Sequence, residues 1–249
     1  MAPMPLILAS HPLFESYAKS DAMGRLILLF LYALSVVSWV LIIYKVKQVH
    51  QERKLARDFQ ALFSNKRFSP LSLELPQNKS GHFPNSFLQI YTVLKQQTLE
   101  ILNKNKRHLE NEGFNDNDPI YLSPADITLV EAHLHTTISS RITHLEKNLF
   151  ILSTVVSLAP FLGLLGTVWG ILITFGGLQN QSMGGSQMML GGLSMALATT
   201  VIGLIIAIPS LIAYNYLKSF IRTFHTEMED FSTLMLASIE MQYRKVNVV

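Results

Sequence analysis

From Asn148 through Leu217 the chain runs for 70 residues without one Asp, Glu, Lys, Arg or His. A water-soluble fold rarely leaves so long a stretch of its surface without charge, so this segment reads as chain dissolved in lipid. The composition agrees: 49% of the residues are hydrophobic and 15% are charged. Lys and Arg outnumber Asp and Glu by only three, 20 against 17, so the basic pI gives no reason to expect a nucleic-acid partner. The absence of cysteine excludes a disulfide framework, a thiolate nucleophile and a thiolate metal ligand.

Three apolar runs are long enough to cross a bilayer, which predicts an all-α integral membrane protein with three transmembrane helices and long helical cytoplasmic extensions. The first, over 22–44, follows a polar segment with Glu15, Lys19 and Asp21, and carries Trp39 and Tyr44 toward its far end, where aromatic residues anchor at the interface. It is too long for a signal-peptide core and lacks a cleavage pattern, so it is expected to be retained. The second covers 149–175 and the third 188–217, joined by a polar Gly/Gln/Ser connection at 176–187. At 1.5 Å per residue these two reach about 40 and 45 Å, so they tilt or project beyond the hydrocarbon layer. Basic residues set the orientation. Residues 45–147 hold 14 Lys and Arg, the 176–187 connection none and the tail after Leu217 four. Positive segments stay inside, which predicts a multi-pass membrane protein with residues 1–21 and 176–187 outside, and with 45–148 and 218–249 cytoplasmic.

The cytoplasmic part reads as helical. Ser123, Pro124, Ala125 and Asp126 form a start signal, with Ser as the N-cap and Pro at the first helical position. Ile127, Val130, Leu134, Ile138, Ile142, Leu145 and Leu149 then recur at three- and four-residue spacing, which predicts one helix running unbroken into the second span. Phe87, Tyr91, Leu94, Thr98, Leu102 and Leu109 mark another helix. Leu217, Ile221, Phe224, Met228, Phe231, Met235 and Ile239 extend the third span as an amphipathic tail. Pro70, Pro76 and Pro84 break 64–85 into a loop.

Each of the two long spans has a face of small residues. Ser157, Pro160, Gly163, Thr167, Gly170 and Thr174 fall on one side of the second, with Gly166 nearby. Gly192, Ala196, Thr200, Gly203, Ala207 and Ser210 do so on the third, followed within it by Pro209. Small faces let backbones approach, so Pro160, Gly163, Gly166, Gly170, Gly192, Ala196, Gly203, Ala207 and Pro209 are assigned to helix packing. Two such faces in one three-helix protomer are expected to exceed what the protomer can bury, which predicts a homo-oligomer. An ion carrier needs a titratable group in the bilayer, and Arg25, at an edge, is the only charged residue in any span. If the chain conducts an ion, the titratable group must come from a partner, with Thr167, Thr199 and Thr200 offering hydroxyl oxygens along the pathway.

The blocks SLAPFLGLLGTVWGI, from Ser157 to Ile171, and ALATTVIGLIIAIPSLIAYN, from Ala196 to Asn215, resemble the paired motifs of the TolQ/ExbB family, with the flagellar stator subunit MotA more distant. The resemblance is strong over about 140–217 and looser over the rest. It implies a ring subunit of a proton-motive-force-driven motor in the cell inner membrane, with the outer segments periplasmic and a pentamer surrounding a TolR- or ExbD-like single-span partner whose intramembrane Asp takes up and releases the ion. No GxxxxGKS-type loop, Ser/His/Asp arrangement or paired carboxylates appear, so no enzyme is expected. It places Thr167 and Thr200 in the pore near that Asp. No cofactor is implied beyond the translocated proton, with sodium as the alternative, and the other contacts are membrane lipid.

Two positions depart from the family pattern: Gly191 and Met195 stand where a Pro and a Glu are common. Thr199 stands where Ala is common, and is read either as an extra pore hydroxyl or as a packing and backbone-bonding residue. The short segment before the first span favours a TolQ-like role in the cell envelope over an ExbB-like role in nutrient uptake, and a non-conducting membrane scaffold remains a third reading. His133 and His135 are two residues apart and point to different sides of a helix, and no carboxylate at suitable spacing completes a site with them or with His144, so no metal site is expected.

Overall fold

The computed structural model of the protein describes residues 21–65, 71, 85–111, 121–179 and 185–243. Among them are five helices and no strand: α1 (Ala22–Asn65), α2 (Ser86–Asn111), α3 (Pro124–Glu146), α4 (Leu149–Gln179) and α5 (Gly185–Tyr243). Three stretches are long and apolar enough to cross a membrane, one near the start of α1, one ending in α4 and one in α5. The prolines at 70, 76 and 84, residues 1–20 and residues 180–184 of the 176–187 connection lie outside the described residues.

The chain divides into two compact units. Residues 1–45 and 148–216 form one, 46–147 and 217–249 the other. The first unit holds the three spans. Its core joins Ile27, Leu28 and Leu31 of α1 to Val155 and Ala159 of α4 and to Met195, Ile202, Ile206 and Ala207 of α5. The outward faces are bulky and apolar, with Phe161, Leu164, Val168, Leu172 and Phe175 on α4 and Leu197, Val201, Ile205, Ile208 and Ile212 on α5 all exposed. So much exposed apolar surface is stable only against lipid or another apolar chain. Buried Ser38 and Ser210 tie α1 to α5 through hydroxyls 2.6 Å apart, and Ser210 Oγ also bonds Ile206 O at 2.7 Å. Ser210 spends its proton on that carbonyl, so Ser38 is the donor in the pair.

The second unit is a helical bundle with an aromatic core. Phe59 and Phe63 of α1, Phe87 and Tyr91 of α2, and Phe224 and Phe231 of α5 are buried together, with ring centroids 5.0–5.9 Å apart in tilted and edge-on arrangements. α3 adds Val130, Leu134, Ile138 and Leu145. Its start is a capping box: Ser123 Oγ accepts Asp126 N–H at 3.2 Å, and Asp126 Oδ2 accepts Ser123 N–H at 2.9 Å. The predicted start at Ser123 and Pro124 is therefore the observed one. The tail stripe from Leu217 to Ile239 is buried throughout, as its spacing predicts.

One expectation is corrected. The helix entering the second span is not continuous but stops at Glu146, turns through Lys147 and Asn148, and restarts at Leu149. Asn148 has φ +67°, the left-handed region that Asn tolerates better than most residues. Lys147 N–H still bonds Thr143 O at 3.1 Å, and Ile151 N–H bonds Asn148 O at 3.2 Å, so one helix closes where the next begins. The apolar periodicity passes through the turn because Leu145 and Leu149 are both buried.

A buried acid completes the second unit. Glu52 of α1 is 2% exposed, and its Oε2 accepts Ser86 Oγ–H at 3.0 Å and Ser86 N–H at 3.4 Å at the start of α2. Burial raises its pKa, against the lowering effect of the Ser86 bonds and of the Arg141 charge.

Candidate functional site

The small faces of α4 and α5 meet each other inside one protomer. A Cβ built on Gly163 would stand 3.1 Å from Thr199 O and Thr200 Cα. One on Gly203 would stand 2.6 Å from Ala159 O, and one on Gly192 at 2.6 Å from Gly170 O and 2.7 Å from Thr174 Oγ1. At these crossings only a hydrogen fits, and Gly163, Gly166, Gly170, Gly192 and Gly203 supply it. Ala196 is buried against Gly170, and Ala207 lies in the core. Pro160 and Pro209 stand half-buried within helices that continue through them. Gly163, Gly166 and Gly170 of one face and Gly192, Ala196 and Gly203 of the other thus bury one another within one protomer, contrary to the expectation that they would need a second copy of the chain, while Ser157 stays exposed.

The threonines sit on this seam and differ sharply. Thr199 is fully buried against Gly166, and its Oγ1 bonds Met195 O at 3.0 Å and Ala196 O at 3.1 Å within its own helix. Thr167 and Thr200 are half-buried, with their hydroxyl oxygens 2.7 Å apart across the seam. Thr167 Oγ1 also bonds Gly163 O at 2.9 Å. Thr200 Oγ1 lies 3.2 Å from the same carbonyl and 3.3 Å from Ala196 O. The pair has two protons. Whichever hydroxyl donates to the other, both protons are spent inside the cluster, one between the hydroxyls and one on a backbone carbonyl. What the pair offers outward is lone pairs, which suit a cation, a water proton or the O–H of a carboxylic acid.

Met195 is fully buried in the core, where its sulfur and terminal methyl occupy the space beside Gly24 of α1. Gly191 is also buried. His133 Nδ1 lies 2.8 Å from Leu129 O, and His135 lies 3.8 Å from exposed Glu131. Among the described residues no three His, Asp or Glu side chains gather as metal ligands.

Sequence reasoning passed over three polar contacts: Ser38 with Ser210, Glu52 with Ser86, and Asp21 with Trp169. Asp21 carried a readable signal, an Asp directly before an apolar helical run. Its Oδ1 accepts Gly24 N–H at 3.0 Å, its carbonyl accepts Arg25 N–H at 3.0 Å, and its Oδ2 accepts the Trp169 indole N–H at 3.0 Å.

The chain is similar to proteins of known name along most of its length. It is 27% identical over 226 residues to the Tol-Pal system protein TolQ of Haemophilus influenzae, covering 89% of this chain and 92% of the relative. It is 26% identical over 235 residues to TolQ of Pseudomonas aeruginosa, covering 93% and 95%. The biopolymer transport protein ExbB of Aquifex aeolicus is 47% identical over 78 residues, 31% of this chain and 53% of that protein. Residues 99–230 match the family model described as the MotA/TolQ/ExbB proton channel family. That match takes in the second half of α2, all of α3 and α4, and α5 past its apolar part, including the Thr167–Thr200 pair, and the chain belongs to the MotA/TolQ/ExbB proton channel family.

Proposed function

We propose that the chain is the ring subunit of a proton-motive-force-driven inner-membrane motor of the TolQ type, transmitting force to the cell envelope. Its partner in this reading is a TolR- or ExbD-like single-span protein with an Asp in its apolar helix, enclosed by several copies of this chain, five by resemblance. The N-terminus is outside and the C-terminus inside, following the distribution of basic residues. Near-full-length similarity to two TolQ proteins supports the TolQ-like role. The higher local identity to an ExbB over 78 residues supports the ExbB-like role as the second reading.

One observation carries the proposal: a hydroxyl pair with outward lone pairs lies on the seam between two apolar spans, 149–175 and 188–217, that hold no titratable carboxyl group. Such a site accepts a proton-bearing or cationic group but supplies none, so the acid belongs to the partner. Thr199, bonded within its own helix, has a packing role here. The test is Thr200→Val in cells carrying the partner. Loss of the hydroxyl should remove a buried hydrogen bond at a cost of about 1–3 kcal/mol. The drive is about 2.3 kcal/mol per elementary charge per 100 mV, so an error of that size is enough to stall a cycle. Envelope integrity should fall severely while the complex still co-purifies. Normal integrity in Thr200→Val refutes the pathway assignment, and loss of the complex favours a scaffold.

A further inference from the structure

Among the described residues of the membrane unit, Asp21 is the only carboxylate. Its two oxygens have separate tasks, Oδ1 capping α1 through Gly24 N–H and Oδ2 holding the Trp169 indole of α4. A Cβ on Gly24 would lie 2.9 Å from Asp21 Oδ1 and would overlap Met195 of α5, so the carboxylate stands where the three spans converge. Trp169 is two residues past Thr167 and Met195 is five before Thr200. At 1.5 Å per residue Trp169 and Met195 lie about 3–8 Å along their helices from the hydroxyl pair, toward the C-terminal end of α4 and the N-terminal end of α5. Trp169 also packs against the core cluster, and Thr167 stands two residues before it, about 200° around the same helix, so a rotation of α4 at Trp169 carries Thr167 with it.

From this geometry we propose that Asp21 is a positioning residue for the ion pathway, acting through Trp169 to hold Thr167 of α4 in register with Thr200 of α5. Two polar contacts that join the first span to its neighbours differ in kind. The Ser38–Ser210 pair is neutral and buried, whereas the Asp21–Trp169 bond is charge-assisted and exposed. Charge-assisted bonds are the stronger and more directional kind, so this tie fixes the rotation of α4 near the seam. The inference rests on the functional reading above, because it gives the threonine pair a task that register can spoil.

The experiment uses the full chain with its single-span partner in a W39F background, which leaves Trp169 as the only indole; Trp39 is 53% exposed and lies outside this cluster. D21A, W169F and the double variant are compared for envelope function, co-purification of the complex and, where Trp169 is present, its emission spectrum. D21A and W169F should each lower ion-driven function about tenfold, the size expected for loss of a hydrogen bond to a charged group, with the complex retained. The double variant should be no worse than either single one, because both changes cut the same bond. D21A should also shift Trp169 emission, whereas S38A, which cuts the other tie, should leave it unchanged. Additive losses, normal function in W169F, or unchanged emission in D21A would overturn the proposal. Where D21A does not accumulate, D21N replaces it, since its one carbonyl oxygen can keep the Gly24 cap while the charge on the indole is lost. Full activity of Thr200→Val would refute the pathway reading, whereas an unchanged emission spectrum would refute the Asp21 contact alone, so the two failures are distinguishable.

Discussion

Gly170→Ala probes the seam most directly. A methyl at Gly170 would meet Gly192 O, Ala196 Cβ at 2.8 Å and Ala196 N at 3.0 Å. Two of these three obstacles are backbone atoms, which cannot swing aside as the end of a side chain can. Carbon atoms rest about 3.5–4.0 Å apart, so α4 and α5 must part by roughly 1 Å at this crossing. Overpacking of this kind costs about 1–3 kcal/mol. The strain reaches Thr167, one helical turn away, and the interhelical hydroxyl bond adds about 0.6 kcal/mol when it is lost. Against this, replacing Gly by Ala within a helix returns up to about 1 kcal/mol. With the full helix gain subtracted, the net loss is about 0.6–2.6 kcal/mol.

Gly176→Ala is the matched control, because nothing lies within 4 Å of its added Cβ and only the helix gain remains. Gly24→Ala should fall between the two, since it meets mainly the flexible end of Met195. The assay is the thermal midpoint of the purified full chain in mild detergent, read as the soluble fraction by size exclusion after heating. Each kcal/mol shifts the midpoint by about 2–4 °C in a chain of this length. A midpoint for Gly170→Ala at or above that of the wild type, rising as Gly176→Ala should from the helix gain alone, would show that the two backbones are not in contact there.

Thr199→Val should retain most ion-driven function, because the lost hydroxyl bonds only its own helix; a defect equal to that of Thr200→Val in the envelope assay would refute the packing role. Ser210→Ala should lower the detergent midpoint more than Ser38→Ala, because it leaves the Ser38 donor without its partner whereas Ser38→Ala leaves Ser210 on Ile206 O. Burial places the folded pKa of Glu52 above its unfolded value of 4.5, so the stability it contributes is fully present below that pH and is lost as pH rises through the folded value. Glu52→Gln should flatten the thermal midpoint against pH across that window, and an unchanged slope would show that Glu52 does not titrate there. In this cysteine-free chain, a cysteine at Asn180 should label from outside the cell and one at Asn105 only from inside, and the reverse pattern would overturn the orientation.

The helical stripes were legible because lipid and bundle core sort side chains by face, and the sorting leaves a local period. Leu134, Ile138, Phe224 and Met235 needed no knowledge of their neighbours to be placed inside. The turn at Asn148 was not legible, since the apolar period crosses it and one residue in the left-handed region leaves no compositional trace. The pairing of the small faces was hidden for a different reason. Periodicity says that Gly163, Thr167 and Gly170 share a side, but not that the side faces Gly192, Thr200 and Gly203 of the same chain. Thr199 and Thr200 differ by one residue, about 100° around the helix. Only the contact of Thr199 with Gly166 decides which of them is buried.

The proton count at the threonine pair bears on how a ring of such subunits would drive an enclosed carboxyl group. Both hydroxyl protons are engaged inside the cluster, so the outward lone pairs accept the O–H of a neutral carboxylic acid without rearrangement. An ionised carboxylate finds no donor there unless a hydroxyl gives up Gly163 O or its neighbouring hydroxyl. Repulsion between that charge and the threonine lone pairs adds to the cost of the rearrangement. On the proposed reading the site therefore binds the protonated partner in preference to the ionised one. A ligand moves an equilibrium only by its differential affinity for two states, and here the two states differ by one proton. Thr200→Val removes the outward oxygen and with it the preference, so the variant should leave the partner bound but its position indifferent to protonation, which is a stalled motor in an intact complex.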